Sequence, residues 1–548
     1  MNRSVERIVS QAFMDSNVSV RDIDIRSYPE ETIIVVRVDE AQMPEAIDVA
    51  NRLDGVMQKE GVSGFVTVKK TESHDSAGSD RTRVKDLTDR RVAELVNLLT
   101  ARSRTTELQP SLEYIPDAKN HIASVKSPRH HLVFGRRGSG KTALLAETKR
   151  LVEDEAAFSV WLNMQTYRHE TGLRVFLIVA ERICQLIQSH FRDSPRVPMV
   201  VTEATKVLAD VQFFLAAENP PDPKVRRLIP TVQRMLRRFL DTTSSSVYIF
   251  LDDFHYLNKG DQPLLLDMVH GTVRDCNAWM KMAAIQHLAQ WYEPGKQLGL
   301  QSGHDAASIA LDITLQDPSS AKNFLEKVLA TYAEHCGISS ITDVFSKKGA
   351  LDRLVLASGA VPRDYLTLCS SSIQEAQRRP AAKRVGVQDV NKAAGDAKQR
   401  KLEELEDDAA AVQGESQVAI QTLQQVRAFC VDNKNWALFR IDFREKESRM
   451  EEYGRLQILA DLRFVHLIEP SLSDERRAGY RSEVYMLDLS QFAGQRLKRK
   501  LNVLDFVDGY FVLKIRTGDQ QDRIGNTANR RLSLLRRAPL MDLDILSV

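Results

Sequence analysis

The sequence predicts an α/β protein built on a parallel sheet, with a small α/β domain before the sheet and helices, then a hairpin, after it. Three observations lead to this prediction. Short apolar strands alternate with long amphipathic helices from residue 84 to 315, the strands then stop, and a later segment ends in two strands joined by a polar turn. At 548 residues, the chain is long enough for several such domains.

The first domain is predicted over residues 1–71. The strands Thr32–Val38 and Gly64–Lys70 flank the helical sequence MPEAIDVANRLDGVMQKEG, which gives a βαβ order. This domain carries no catalytic constellation, so we expect it to dock a protein partner. The polar run at 72–83 is poor in apolar residues and predicts a linker.

A glycine-rich loop joins the first strand of the predicted parallel sheet to a helix. Residues 131–145 read HLVFGRRGSGKTALL and hold the pattern G-x-x-x-x-G-K-T. Backbone N–H groups of such a loop cradle a polyphosphate, Lys141 lies along its β- and γ-phosphates, and the Thr142 hydroxyl binds Mg²⁺. The predicted nucleotide-binding residues are Gly135, Arg136, Arg137, Gly138, Ser139, Gly140, Lys141, Thr142 and Ala143.

The carboxylates that complete such a site belong at the end of a second buried strand. The candidate strands are HLVF, FSVWLNM, SVYIFLDD, WMKMAAIQ and ASIALDI, and the third ends in Asp252 and Asp253. We assign Asp252 to Mg²⁺, through water, and Asp253 to the base that activates the attacking water. Capping of the next helix is the alternative role for this pair.

The remaining domains follow from changes in pattern. The predicted core at 84–315 is followed by a helical lid at 316–400, a charged linker or helix extension at 401–417 and a winged-helix-like domain at 418–492. Residues 493–548 are predicted as a basic tail. Its cations are Arg496, Lys498, Arg499, Lys500, Lys514, Arg516, Arg523, Arg530, Arg531, Arg536 and Arg537.

Three motifs in this order resemble those of the AAA+ P-loop ATPases, most of all the initiator branch of the origin recognition complex type. They are GRRGSGKT, VYIFLDDFHYL and ASGAVPRDYLTL. The resemblance implies a P-loop NTPase core with a helical lid and a C-terminal winged helix, ATP and Mg²⁺ as ligands, and ATPase activity. It also implies that Arg363 is the lid arginine, called sensor 2, and that Gln286, or its neighbour His287, is sensor 1.

Two departures from that family pattern bear on function. The pair Asp252-Asp253 replaces the usual Asp-Glu, and together with GAVP it also resembles the signal-transducing STAND ATPases. No arginine occurs between Arg274 and Arg353, where a ring ATPase carries its arginine finger, and Lys296 is the cation nearest to that role. Both departures predict a switch that hydrolyses ATP slowly until a partner completes the site.

The functional expectation is an initiator-type ATP switch, a bacterial accessory or defence-like member acting on or with DNA in a larger assembly. Its expected partners are duplex DNA through backbone contacts, a protein bound by the N-terminal domain and further copies of the chain. A STAND-like ATPase that oligomerises and recruits an effector is the alternative. No repeat of 20 to 50 residues follows the hairpin, which favours the initiator type.

Bulk properties limit the partners and the compartment. The net charge of +2 requires any nucleic acid binding to come from local patches. Five dispersed cysteines and the lack of a signal peptide or long apolar run predict a cytoplasmic protein without membrane association. The pair His130-His131 is interpreted as the lead into a strand, and His255 is interpreted as structural. The arginines of Lys224–Leu240 are interpreted as a solvated helix face.

Overall fold

The computed structural model divides the chain into two compact units, Met1–Arg83 and Val84–Val548, which are described separately. The residues described are 2–16, 18–27, 32–38, 42–59, 64–70, 83–103, 105–107, 111–192, 199–218, 220–346, 349–380, 382–409, 415–475, 477, 479–494, 501–507, 510–517, 520–523 and 528–547.

The first unit is a three-stranded sheet with two helices. Its elements are α1 (Asn2–Asp15), β1 (Val20–Ser27), β2 (Thr32–Val38), α2 (Met43–Lys59) and β3 (Gly64–Lys70). β2 and β3 are parallel and joined through α2, as predicted, whereas β1 pairs antiparallel with β2 on its other side. β1 was not predicted, because its pairing shifts between Val20 and Asp22, which breaks the two-residue alternation of apolar positions.

The second unit begins with an α/β core whose sheet is parallel throughout, with strand order β10-β4-β7-β6-β5. Every strand predicted for this sheet is present. The strands are β4 (His130–Phe134), β5 (Phe158–Asn163), β6 (Val247–Asp252), β7 (Ala278–Ala284) and β10 (Ala306–Ala310), with a small pair β8 (Tyr292–Glu293) and β9 (Leu298–Gly299). His130 and His131 are the first two residues of β4 and not its lead-in.

Helices cover both faces of the sheet, so β4 and β6 are buried along their whole length. The helices of residues 84–315 are α3 (Arg90–Ala101), α4 (His121–Lys126), α5 (Lys141–Asp154), α6 (Gly172–His190), α7 (Met199–Leu215), α8 (Asp222–Arg226), α9 (Ile229–Thr243) and α10 (Gln262–Val273). In α9, Val232, Leu236 and Phe239 are buried while Arg234 and Arg237 are exposed, which is the solvated arginine face that the sequence indicates.

A helical layer follows the core. It consists of α11 (Pro318–His335), α12 (Ile341–Val344), α13 (Ala350–Ala357), α14 (Pro362–Gln377) and α15 (Val387–Ala409). α3 packs on this layer although it precedes the sheet: Leu95 and Leu99 join the same apolar core, and the hydroxyls of Thr100 and Ser370 are 3.2 Å apart. The predicted core segment at 84–315 therefore contributes its first helix to the lid.

The next region has the helix and strand order of a winged helix. Its elements are α16 (Glu415–Arg427), β11 (Leu438–Asp442), α17 (Phe443–Ser448), α18 (Met450–Asp461), β12 (Val465–Ser473) and β13 (Arg481–Leu487). The strands form an antiparallel sheet in the order β11-β13-β12. The sequence predicted α18, β12 and β13 but missed β11 and α17, which are short and follow one another directly.

The predicted basic tail is wrong as a description of residues 503–547. This segment forms the antiparallel strands β14 (Val503–Val507), β15 (Tyr510–Thr517) and β16 (Gln520–Arg523) and the helix α19 (Ala528–Arg536). Arg531 donates to the carbonyl oxygens of Gln316 and Ile468, at 3.0 and 3.1 Å. The prediction rested on the number of lysines and arginines and overlooked apolar residues of this segment that pack in the core. Arg496 to Lys500 lie outside the described residues.

Candidate nucleotide-binding site

The loop between β4 and α5 has the backbone shape that phosphate binding needs. Gly138 and Gly140 have φ angles of +81° and +97°, which L side chains rarely adopt. A Cβ atom on Gly135 would lie 2.5 Å from Ser139 Oγ. The glycines therefore allow the chain to turn back directly onto the first turn of α5, where backbone N–H groups and the helix dipole favour an anion.

Lys141 is buried at the start of α5 and lies against this loop. Its Nζ donates to the carbonyl oxygens of Gly135 and Arg136, at 2.9 and 3.0 Å. Burial lowers the pKa of Lys141, and the charges of Asp253, Asp312 and Asp252 oppose that decrease. A phosphate oxygen would offer this cation a stronger acceptor than the two carbonyls.

Asp252 lies at the end of β6 and contacts the same helix. The Thr142 hydroxyl donates to Asp252 Oδ2 at 2.9 Å, while Oδ1 is buried without a hydrogen-bond partner among the described residues. Burial, and then the neighbouring charge of Asp253, raise the pKa of Asp252 to about 7. A hydroxyl and an orphaned carboxylate oxygen are hard ligands, so this pair fits the Mg²⁺ that the sequence predicts.

A cavity of about 380 Å³ opens above the loop and brings most of the predicted site together. Of the predicted residues, Arg137, Gly138, Ser139, Gly140, Lys141, Thr142, Ala143, Asp253 and Arg363 line it. Asp253 has a φ of +52°, so the chain turns sharply where β6 ends. Gly135, Arg136 and Asp252 lie behind the lining, and Asp252 reaches the site through Thr142.

The lid meets the loop directly through Arg363, at the first turn of α14. The Arg363 backbone N–H donates to the Gly138 carbonyl oxygen at 3.3 Å, and a Cβ on Gly138 would lie 2.8 Å from Arg363 Cβ. Pro362 occupies the first helical position, where its missing N–H costs nothing. The structure therefore brings Arg363 to the phosphate loop from a separate layer of the fold.

Gln286 lies apart from the other predicted residues. It follows β7 but is exposed in a short 3₁₀ turn, and its neighbour Ile285 lines the cavity instead. His287 forms a hydrogen bond with Asp461 at the end of α18. A sensor role for Gln286 stays a prediction that this arrangement does not support.

Arg136 makes contacts that the motif alone did not suggest. Its guanidinium bonds to Asp312 Oδ1 after β10 (3.3 Å), to the Ile313 carbonyl oxygen (2.8 Å) and to the Gly359 carbonyl oxygen in the lid (3.4 Å). Its Nη1 lies 3.5 Å from His466 Nδ1, on β12 of the winged-helix-like domain. The Arg136 side chain of the phosphate loop thus contacts the core, the lid and the winged-helix-like domain.

His466 is held in the tautomer that this contact requires. Its Nε2 is paired with Asp488 Oδ2 at 2.8 Å, so Nδ1 is left to accept from Arg136. A Cβ on Gly359, whose φ is +58°, would lie 2.0 Å from the imidazole Cε1. We name Arg136, Gly359, His466 and Asp488 the three-way junction, because Arg136 belongs to the phosphate loop, Gly359 to the lid, and His466 and Asp488 to the winged-helix-like domain.

Further buried charges continue the junction to α14 and α15. Lys401 lies 3.0 Å from Asp488 and 3.7 Å from Asp364, and Arg463 pairs with Asp364 at 2.5 Å. Burial by itself raises the pKa of Asp488, but Lys401 and His466 hold it below its usual range. Asp364 directly follows Arg363, so the lid arginine and this buried network share one helical turn.

Several cavity residues were missed or misinterpreted by the sequence analysis. His255 lines the cavity, although it was interpreted as structural, and Tyr114, Phe324 and Tyr332 line it as well. His255 follows Asp253 by two residues in a 3₁₀ turn, and that proximity was the available signal. The aromatic residues come from segments distant in sequence, and no motif marks them.

The fold and the loop define the class of protein: a P-loop nucleoside triphosphatase with a parallel sheet and a helical lid. More particularly, residues 118–275 match the AAA ATPase domain family. The chain therefore carries an AAA ATPase domain, and nucleotide binding with Mg²⁺ is typical of that family. No curated protein matches the chain at a significant level.

Three of the solved structures that match this chain have TM-scores below 0.5. The ORC1 protein of Aeropyrum pernix, solved in complex with DNA, is 17% identical, with 72% of this chain and 93% of that chain covered and a TM-score of 0.35. Cdc6p of Pyrobaculum aerophilum is 13% identical, with 69% and 93% covered and a TM-score of 0.31. A STAND protein with a tetratricopeptide repeat sensor from Pyrococcus horikoshii is 13% identical, with 70% and 43% covered and a TM-score of 0.29.

Proposed function

We propose that this protein is an ATP-binding, slowly hydrolysing switch of the initiator type, in which the nucleotide sets the position of the lid and of the winged-helix-like domain. The three-way junction carries this proposal. Because Arg136 belongs to the phosphate loop and also bonds to the lid and approaches His466, a shift of the loop on nucleotide binding changes contacts in three parts of the molecule at once.

The chemical roles in this proposal are divided among several side chains. Lys141 holds the β- and γ-phosphates, Thr142 and Asp252 hold Mg²⁺, and Asp253 orients the attacking water. Arg363 reaches the γ-phosphate from the lid. When bound, Mg²⁺ neutralises charge that develops on the phosphoryl oxygens.

Slow hydrolysis is expected from this chain alone for two reasons. Asp253 is one methylene shorter than glutamate, and the region that should supply a finger has no arginine between Arg274 and Arg353. Lys296, the cation nearest to that role, is 71% exposed and pairs with Glu293 at 3.0 Å. An arginine supplied by another molecule raises the rate of related enzymes by about 10³ to 10⁵.

The test is hydrogen exchange of the full chain with ATP and with ADP. ATP should protect peptides around α14 and also peptides around β12 and β13. In Arg136→Met, which keeps the apolar stem, the response of β12 and β13 should disappear while that of α14 remains. Arg150→Met, on an exposed face of α5, is the control and should respond as the wild type does. Equal exchange of β12 and β13 in ATP and ADP for the wild type would refute the switch.

A second candidate function, action on duplex DNA, is favoured by the tip of the β12–β13 hairpin. Arg444 lies 3.9 Å over the Tyr480 ring and donates to its hydroxyl at 2.6 Å, and Arg477 lies 5.5 Å from the same ring. Arg444, Arg477 and Arg481 are exposed. Exposed arginines around an aromatic ring fit contacts with a phosphate backbone.

The third helix of the winged-helix-like domain is less suited to a DNA groove. The first turn of α18 holds the acidic residues Glu451 and Glu452. Arg449, at the start of the helix, donates to Asp544, and Arg455, in its middle, donates to the Leu546 carbonyl oxygen. The C-terminal segment therefore lies on α18. We propose that the hairpin tip and not α18 is the DNA-facing surface.

The partners of the first unit and the assembly state remain proposals drawn from the sequence. We propose a protein partner for the sheet and helices of residues 1–71, association with further copies of the chain, a cytoplasmic location and a bacterial accessory or defence role. The alternative, a STAND-like effector switch, shares the nucleotide site and differs in needing no DNA. None of the described helices is long and apolar enough to cross a bilayer.

A further inference from the structure

His255, two residues after Asp253, lines the same cavity as the phosphate loop. Strands β5, β6 and β7 are neighbours in the sheet, and their carboxyl ends meet at one edge. Gln165, His255 and Ile285 each follow one of these strands and line the cavity beside the phosphate loop. Other segments of the chain line the cavity through Tyr114, Phe324 and Tyr332.

His255 reaches this position because the backbone reverses at Asp253. The φ of +52° at Asp253 is followed by the 3₁₀ turn Phe254–Tyr256, whose first side chain is buried in the core. Phe254 therefore anchors the turn, and His255 lines the cavity that the phosphate loop borders. Lys141 and Arg137 line the same cavity as His255, and their charges act on its imidazole.

The imidazole has an unpartnered nitrogen within the part of the chain that the structure describes. Its Nδ1 is buried without a hydrogen-bond partner among these residues, and its ring contact is with Tyr256. Burial, then Lys141 and Arg137, hold the pKa of His255 well below its usual value. A neutral imidazole has one N–H donor and one acceptor, and a buried donor without an acceptor is costly in a folded protein.

We propose that His255 is a catalytic residue that donates a hydrogen bond to the γ-phosphate of ATP, and that it fills the role for which the sequence suggested Gln286. The inference rests on the proposed function, because it names a further group in the same site. Its consequence is selectivity: ADP has no γ-phosphate, so the contact exists with ATP alone. Donation to a developing anion also favours the transition state of hydrolysis.

The experiment compares ATP and ADP affinities, both with Mg²⁺, and single-turnover hydrolysis for full-length variants. His255→Ala should bind ATP about tenfold or more weakly, with ADP affinity within about twofold of wild type, and should hydrolyse ATP at least about tenfold more slowly. His255→Asn, which retains a donor, should recover part of both effects. His304→Ala, a histidine whose side chain is 80% exposed, is the control and should match wild type.

ADP affinity separates a local effect from misfolding. If His255→Ala and His255→Asn lower ATP and ADP affinity by the same factor, or leave their ratio and the hydrolysis rate unchanged, the proposal for His255 is overturned while the ATP site stands. If wild type binds neither nucleotide, or binds them as Lys141→Ala does, the proposed function and this inference both fail.

Discussion

At the scale of single residues, the proposed roles of phosphate binding, metal binding and water activation belong to different side chains around one cavity. Lys141 is at the start of α5, Asp252 is the last residue of β6, and Asp253 occupies the turn after it. Each role should therefore be separable by substitution. The two aspartates also influence each other, because the charge of Asp253 helps to raise the pKa of Asp252.

Asp253→Asn should keep ATP affinity and slow hydrolysis at least about tenfold. An amide keeps the shape of the side chain but cannot accept the proton of the attacking water. Wild type alone is expected to turn over less than about once per second, well below the median of about ten, and the variant at least about tenfold less. Single-turnover hydrolysis of radiolabelled ATP measures both, with Lys141→Ala as the variant that should not bind. Hydrolysis by Asp253→Asn at the wild-type rate would remove Asp253 as the base.

The affinity for Mg²⁺-ATP should rise with pH. Mg²⁺ binds the ionised form of Asp252, whose pKa is raised from 3.8 to about 7. Between these two values the folded protein holds a proton that the unfolded chain releases, so this group lowers the free energy of unfolding as pH rises. Affinity should increase by up to about tenfold per unit below about pH 7 and level off above it.

Titration of a fluorescent ATP analogue with Mg²⁺ between about pH 6 and about pH 8 measures this dependence. ATP itself takes up protons in this range, so Asp252→Asn is the reference. The difference between wild type and Asp252→Asn in the dependence of affinity on pH gives the contribution of the Asp252 carboxylate. Equal slopes for the two proteins would show that Asp252 does not release a proton to the metal.

At the scale of elements, short segments join parts of the fold that are far apart in sequence. The C-terminal segment crosses β11, where Arg440 donates its backbone N–H to the Pro539 carbonyl oxygen and accepts from Met541. It then lies on α18 through Asp544 and Leu546. Leu543 and Leu546 are fully buried there, so the segment is part of the core of the winged-helix-like domain.

Leu543→Ala and Leu546→Ala should each lower the free energy of unfolding by about 2 to 5 kcal/mol, because each removes buried methyl groups and leaves a cavity. Denaturant unfolding followed by far-UV circular dichroism measures the change. Ile545→Ala lies in the same turn at 39% exposed and should cost much less. If all three variants cost the same, the segment is not packed as described.

At the scale of the whole molecule, charge is distributed unevenly in spite of a net charge of +2. The exposed arginines of the hairpin tip are available to a partner, whereas Arg531 and Arg536 bond to the protein itself. We therefore propose that DNA contacts the hairpin tip and not these two arginines. This contact is also independent of the nucleotide site, since the two regions use different residues.

Duplex DNA should bind the full chain with little sequence preference and with an affinity that falls steeply with salt. Arg477→Gln with Arg481→Gln should weaken binding and reduce the salt slope by about one for each DNA phosphate that is no longer neutralised. Fluorescence anisotropy at several salt concentrations measures both, with Arg226→Gln, an exposed arginine of α8, as control. Binding unchanged by the double substitution would assign the hairpin to a protein partner.

The sequence by itself determined the five strands of the parallel sheet, the phosphate loop and the two aspartates. Each is a local pattern: an apolar run fixes a buried strand, and the glycine spacing fixes the loop whatever packs around it. Asp252 was found because a polar residue at the end of a buried strand is conspicuous. The lid arginine came from resemblance, and the structure places it on the loop.

Only the tertiary structure decided what surrounds these motifs. Arg136 and His466 are separated by 330 residues, and no periodicity or spacing relates them, because contacts between domains depend on how buried surfaces fit together. The same holds for α3, which joins the lid, and for residues 503–547, whose cations concealed a packed core. Gln286 and His255 show the limit most directly: both are polar residues near strand ends, and the direction of the backbone turn decided which one faces the cavity.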